Sequence, residues 1–391
     1  MKILFFDVFT QLGGVPSVFG RNIVGLVNMG VDTYLIDPFG DIKTLCHIPD
    51  GNSHIHIISL PLPLFFRRLQ IKPTHFVWLV VIFIKYIIYI VKLISVVKRI
   101  QPDLLYFNLP KSGVFVWVVS KLTNIKYVFH SHGVDNEKAI GFIYRTLLRH
   151  ANLVICVSND TKRQMKKYVK AASKVVVVYN SVDVKNIRNI STRGNPLSDY
   201  GIAQGDFVIT YVGNLIKRKG PDILAKAFSR VLVKESHNSK MYLVVVGGDP
   251  LGEEGPIISQ MRKDLAFTEA NNRSIFMGSI PDASQVIANS SVLVLPARME
   301  SFGLVLIEAM ALGVPVISTN CFSIPEVVEN GVTGLLVPPE DEIALSEAIY
   351  LIYSSPNFRR SLIQKATEIV ESKFDLLNQS RALYQIVFNA I

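Results

Sequence analysis

Covalent cross-links and metal clusters have little to build on in this chain. Only three cysteines occur in 391 residues, Cys46, Cys156 and Cys321. They lie far apart and follow no disulfide or metal-ligand spacing, which points to a reducing compartment. The start, "MKILFFDVFTQLGG", has no apolar run long enough for a signal-peptide core. Asp7 breaks it early, so it reads as a first buried strand and the chain is expected to stay in the cytosol. Zinc-finger spacing, a helix-turn-helix pattern and an aromatic RNA-binding signature are all missing, so nucleic acid is not an expected partner. No repeat of solenoid period and no Asp-x-Asp pair of the kind that holds a divalent metal is seen; neither metal nor cofactor is expected. Acidic residues are also short, 31 against 41 Lys and Arg, giving a net charge of +10. Such a balance favours anionic partners: phosphorylated small molecules or an acidic membrane surface.

What is present is apolar and regularly spaced. About half of the chain is hydrophobic, 49%, enough for more than one core. Short β-branched runs alternate with helical patterns from end to end. In the first half they are "KILFF", "TYLID", "HIHIISL", "DLLYFN", "KYVFH", "LVICVS" and "KVVVVYN"; in the second, "FVITYVG", "MYLVVVG", "SIFMG", "VLVLP", "VPVIST" and "GLLVP". Such runs mark parallel strands covered on both faces. The polar stretch from Val184 to Asp206 lacks periodicity and reads as a linker. The expected fold class is therefore α/β, two doubly wound domains facing a central cleft. The first covers 1–190 and the second 191–370, with a helix over 371–391 that finishes the second or crosses back to the first. Ligands in such sheets bind at the carboxyl ends of the strands.

Residues 76–100, "FVWLVVIFIKYIIYIVKLISVVKRI", depart from the pattern. The run is long enough to span a bilayer, but Lys85, Lys92 and Arg99 recur every seven residues on one helical stripe. A span would bury two lysines at about 2.5–3.5 kcal/mol each. An in-plane helix would keep the stripe among headgroups and bury the rest. A core helix with snorkelling lysines is the alternative.

Four stretches carry candidate chemistry. Gly13-Gly14, with Pro16 behind them, open a helix whose free N–H groups could face an anion, although an ordinary strand-to-helix turn would look the same. His130 and His132 in "YVFHSHG" end a strand, where an imidazole can bind a sugar hydroxyl or move a proton; either could equally be structural. In "YVGNLIKRKGPDILAKAF", Arg218 and Lys219 precede a helix start and form a diphosphate clamp or a solvated basic turn. In "PARMESFGLVLIEAMALGVP", Glu300 lies in a loop. Glu308 lies in a helix that is apolar on every other side and should be buried. Amides of Phe302, Gly303 and Leu304 at the helix start would form a small anion hole. Two carboxylates around a row of donors suit a ligand with a phosphate and many hydroxyls, as a nucleotide sugar has. A buried salt bridge of Glu308 remains the other reading.

In combination these stretches resemble the retaining glycosyltransferases of family 4, whose two-Rossmann-domain architecture is called GT-B. The likeness is densest from Phe207 to Pro339. "ESFGLVLIE" matches the family's E-x7-E element at Glu300 and Glu308. That implies Glu300 on the donor sugar, Glu308 on the nucleotide ribose, and the amides from Ser301 to Leu304 on sugar and phosphate. "GNLIKRKG" matches the diphosphate loop, placing Gly213, Asn214, Arg218 and Lys219 at the donor. Gly14 and the pair His132-Gly133 match positions facing donor and acceptor, so the implied catalytic set is Glu300, Lys219 and His132. Three departures bear on donor fit: Asn214 where many relatives have Arg, Phe322-Ser323 in place of a double glycine, and Ser181 where Gly is usual.

The resemblance implies a metal-independent hexosyltransferase that takes a UDP- or GDP-sugar as co-substrate and transfers it to a saccharide acceptor. The basic, apolar segment 76–100 suggests that the acceptor is lipid-linked, at the inner face of the cell membrane, in synthesis of a bacterial surface polysaccharide. The rival expectations are a nucleotide-sugar epimerase on the same architecture and a non-catalytic, sugar-nucleotide-binding membrane scaffold.

Overall fold

The computed structural model describes residues 1–391 apart from 11–12, 64–75, 134–140, 172–173, 192–193, 235–239, 250–254 and 267–268, and of 76–80 and 191 only the backbone. Each apolar run picked out above is a strand. β1 (Lys2–Phe6), β2 (Asp32–Asp37), β3 (Ile55–Ser59), β4 (Leu104–Phe107), β5 (Tyr127–Ser131), β6 (Leu153–Cys156) and β7 (Val175–Val177) form one sheet. It is parallel throughout, in the order β3-β2-β1-β4-β5-β6-β7. The period of two sorts its side chains. Ile3, Phe5 and Tyr106 face a layer made by helices Gly14–Val27, Ile42–Cys46 and Leu376–Phe388. Leu4, Phe6 and Phe107 face Phe76–Ile100, Pro110–Thr123, Phe142–His150 and Asn159–Lys166. With both faces covered, runs without polar alternation are what such strands require.

The second sheet contains β8 (Phe207–Val212), β9 (Met241–Val246), β10 (Ser274–Gly278), β11 (Val292–Leu295), β12 (Val316–Thr319) and β13 (Leu335–Val337). It too is parallel, in the order β10-β9-β8-β11-β12-β13. In each sheet the connections reverse direction once, between β1 and β4 and between β8 and β11. These two points are where a doubly wound sheet opens a crevice.

The chain divides into two compact units, Met1–Tyr179 with Leu377–Ile391, and Asn180–Leu376. The expected boundary at 190 and the linker over 184–206 are corrected. Val184–Ser191 is a helix of the second unit with Ile187 buried, and Leu197 is buried in that unit's core. Its Asn, Arg and Ser content masks a short amphipathic pattern. The last helix starts at Leu376 and gives Leu383 and Val387 to the first unit's core. Gly25 is required there, since a Cβ on it would lie 2.0 Å from Ser380 Oγ.

Residues Phe76–Ile100 form one 25-residue helix. Tyr89, Leu93, Val97 and Ile100 sit in the core beneath the sheet, so one face is structural. The opposite side exposes Phe83, Ile84, Ile87, Ile88 and Val91, flanked by exposed Lys85, Lys92 and Arg99. Among the described residues no helix is long and apolar enough to cross a membrane.

Candidate active site

In the second unit, the chain leaves β8 through Gly213 and exposed Asn214, and Tyr211 Oη donates to the Asn214 carbonyl. A 3-10 turn over Lys217–Lys219 then runs into the Pro221–Lys234 helix. Gly220 joins them at φ +71°, and a Cβ there would come within 1.9 Å of the Pro296 carbonyl. That close approach seats the basic turn on the loop leaving β11. The Arg218 carbonyl accepts from the N–H groups of Arg298 and Met299 at 2.8 and 3.1 Å.

Arg298, which the sequence did not single out, locks this joint. Its guanidinium donates to both Asp222 oxygens at 2.8 Å, to Glu340 at 3.0 Å and to the Lys217 carbonyl at 2.7 Å. Burial pushes the Asp222 carboxyl up, but the fork of Arg298 outweighs it and holds the group below its usual range.

This joint brings Lys219 to Glu300. Their side chains form a salt bridge, and Glu300 is only 7% exposed. Glu300 Oε1 also accepts from the N–H groups of Ser301 and Phe302 at 3.0 and 3.3 Å. Burial raises the carboxyl pKa; the Lys219 charge and hydrogen bond, the Phe302 amide and Arg218 more than offset this, leaving it below normal. The expected anion hole is therefore corrected at one position, because the Phe302 amide is already turned onto Glu300. Gly303, at φ +87°, caps the Leu304–Ala311 helix without a side-chain partner. The N–H groups of Gly303 and Leu304 have no acceptor among the described residues.

Glu308 is placed differently from the expectation. Its helix is not buried all round: Leu304, Val305, Glu308 and Leu312 form a partly exposed stripe, while Leu306, Ile307, Ala309 and Met310 are buried. The carboxylate is half-buried on the stripe that begins at the open amides. Ser323 fastens the neighbouring loop by donating from Oγ to the Glu300 carbonyl at 2.9 Å. Phe322 beside it is 43% exposed and has φ +48°, a left-handed backbone that normally favours glycine.

In the first unit, a second constellation lies at the β1/β4 crevice. Asp7 follows β1, Asn108 follows β4, and His130 and His132 lie in and just after β5. Asp7 is fully buried and accepts from the Asn108 N–H, Asn108 Nδ2 and the Leu109 N–H at 2.8, 2.8 and 2.9 Å. Asn108 Oδ1 lies 2.8 Å from His132 Nε2. The rings of His130 and His132 stack at 4.8 Å, and His130 Nδ1 is 2.6 Å from Tyr106 Oη. Burial pushes Asp7 up to about 7 and His132 down to about 3. Burial, helped by His132, pushes His130 well below its usual value. Gly14 is the first residue of the Gly14–Val27 helix; a Cβ on Gly13 would meet nothing, so no close approach demands that glycine. Among the described residues, no group of three His, Cys, Asp or Glu side chains could hold a metal ion.

Comparisons with known proteins agree with this layout. The family description "Glycosyl transferases group 1" matches residues 197–369, and "Glycosyltransferase Family 4" matches residues 12–186. N-acetyl-alpha-D-glucosaminyl L-malate synthase of Bacillus anthracis is 27% identical over 268 residues, 66% of this chain and 68% of that protein. The capsular polysaccharide biosynthesis glycosyltransferase CapM of Staphylococcus aureus is 27% identical over 297 residues, 73% and 76% of the two chains. Anabaena Alr3699/HepE in complex with UDP-glucose matches the whole of both chains with a TM-score of 0.79 at 22% identity. The two family matches, one on each parallel-sheet unit, define a glycosyltransferase, and its fold is the GT-B architecture. Within that class, the chain belongs to glycosyltransferase family 4.

Proposed function

We propose that this protein transfers a sugar, with retention, from a nucleoside-diphosphate sugar to the hydroxyl of a lipid-linked saccharide in synthesis of a bacterial surface polysaccharide. The observation that carries the reading is the Lys219–Glu300 pair at the β8/β11 crevice, beside the open amides of Gly303 and Leu304. A cation and two N–H donors suit a diphosphate; Glu300 and Glu308 suit sugar and ribose hydroxyls. In the reaction, the acceptor oxygen bonds to the anomeric carbon as the bond to the diphosphate breaks. The acceptor's proton passes to the leaving oxygen. Lys219 and the helix start then stabilise charge growing on the diphosphate, the largest electrostatic demand of the step. Solved neighbours of this fold hold UDP and UDP-glucose, which supports a uridine donor.

The lipid-linked acceptor is supported by the outer side of the Phe76–Ile100 helix. Phe83 is 66% exposed and is joined by Ile84, Ile87, Ile88 and Val91, with Lys85, Lys92 and Arg99 along the edge. Phe142, 84% exposed, and Ile143 start a helix on the same layer. Both apolar groups lie toward the carboxyl end of the parallel strands, because the helices run back against them. Apolar side chains edged by cations match the surface of an anionic bilayer. The capsular polysaccharide relative fits such an acceptor.

Screening UDP-, GDP- and ADP-sugars by calorimetry, together with acceptor-free hydrolysis, tests the reading. Binding of one nucleotide class with slow release of free sugar is expected. No binding of any of them would overturn it.

A further inference from the structure

Asp7 and Asn108 are the first residues beyond β1 and β4, at the crevice of the first sheet. Above about pH 7, where the raised Asp7 carboxyl is ionised, it has only acceptors to offer its neighbours. Asp7 Oδ2 takes two hydrogen bonds from Asn108, one from the backbone N–H and one from Nδ2, and Oδ1 takes one from Leu109. The amide of Asn108 is thereby oriented, with its nitrogen toward Asp7 and its oxygen toward His132. Asn108 Oδ1 cannot donate, so His132 Nε2, at 2.8 Å, must carry the hydrogen. In a neutral ring Nδ1 is then bare.

The ring cannot turn freely, since it stacks on His130 at 4.8 Å with 22° between the planes. His130 is held in turn by Tyr106 Oη and by Asn22 Nδ2. Of Asp7, Asn108, His130 and His132, only His132 keeps appreciable exposed surface.

We propose that Asp7 and Asn108 are positioning residues that fix His132 with its hydrogen on Nε2, so that Nδ1 accepts a hydrogen bond from the substrate hydroxyl at the β1/β4 crevice. The role of that hydroxyl rests on the glycosyl-transfer reading; the tautomer does not. The hydroxyl's hydrogen rests on Nδ1 until the bond to the diphosphate breaks, when it passes to the leaving oxygen, so the ring sets the direction of the hydroxyl without keeping its proton.

Histidine-selective ¹⁵N labelling of the full chain, with His132→Gln to identify the signal, reads the tautomer by long-range ¹H–¹⁵N correlation. Wild type is expected to show a protonated Nε2 and a bare Nδ1. Asn108→Leu, similar in size but without the acceptor, is expected to give a mixture of both forms. Its acceptor-free hydrolysis of the nucleotide sugar chosen by the screen should fall at least tenfold, with the donor KM changed less than twofold. A wild-type ring protonated on Nδ1 overturns the relay, even if Asn108→Leu fails to fold. A folded Asn108→Leu with the wild-type tautomer also overturns it. Mixed tautomers with unchanged turnover overturn the part played by the hydroxyl. Absence of turnover from wild type with every nucleotide sugar strikes the transferase reading instead and leaves the tautomer result standing.

Discussion

Lys219 and Glu300 are 81 positions apart, yet their side chains close a salt bridge because β8 and β11 are neighbours and both loops leave the same end of the sheet. If Lys219 meets the leaving diphosphate, its value is greatest in the transition state. Lys219→Ala is expected to lower kcat by about a hundredfold while donor affinity changes by no more than a few-fold, measured by hydrolysis and calorimetry. Its loss also leaves burial of Glu300 opposed only by the Phe302 amide and Arg218. The Glu300 carboxyl is depressed in the fold, so its contribution to stability is present above the unfolded value of 4.5 and is lost as pH falls through the folded value. The Tm gap between wild type and Lys219→Ala should therefore close in acid.

Glu308→Ala should weaken donor binding by about 1.5–3 kcal/mol, the worth of a hydrogen bond to a charged group. Because Glu308 lies on the partly exposed stripe of its helix, the fold should survive. A large drop in Tm with unchanged donor binding would show a structural role instead.

Asp7 gives a pH dependence of the opposite sign. Its carboxyl is raised in the fold from 3.8 to about 7 by burial. Stability from this group is fully present below the unfolded value and is lost as pH rises toward 7. Urea unfolding of wild type and Asp7→Asn should show wild type losing ground by a few kcal/mol between about pH 4 and pH 7, on top of any constant offset. A difference that stays flat across this window would contradict the buried setting of Asp7.

The exposed face of the Phe76–Ile100 helix makes a prediction about lipid. Reversing Lys85, Lys92 and Arg99 to Glu should release much of the protein from vesicles containing anionic lipid, at about 1 kcal/mol per basic residue. Wild-type binding should weaken with salt as the Debye length shrinks from about 10 Å at 0.1 M to about 3 Å at 1 M. Flotation at two salt concentrations checks both. Because the three cations are exposed and Tyr89, Leu93 and Val97 hold the helix to the core, the triple variant should still fold. Flotation that ignores lipid charge would count against the surface.

Much of this was legible in the chain because the physics is local. A parallel strand covered on both faces needs a short unbroken apolar run, and each such run became a strand. Glu300, Lys219 and Gly303 could be placed because each lies just beyond a strand. Three features could not be read. Arg298 and Asp222 are 76 positions apart, and nothing near either indicates the other. Asp7 was visible only as a charge interrupting an apolar run, since its partner Asn108 lies 101 positions away. Glu308 was expected to be buried because periodicity counts apolar neighbours, whereas exposure depends on what packs against them. Leu304 and Val305 stay partly open beside it.

The closing helix has a consequence for how the protein is made. Leu383 and Val387 complete a layer against Phe5, Phe19 and Ile23, but they leave the ribosome only after residues 180–376 have been synthesised. At about 5–20 residues per second that delay is roughly 10–40 s. During that time the first sheet has one face incompletely covered, while the contiguous second unit can close its own core. The nascent chain thus passes through a stage with the later unit finished and the earlier one still waiting, a stage at which holdase chaperones would find apolar surface to bind.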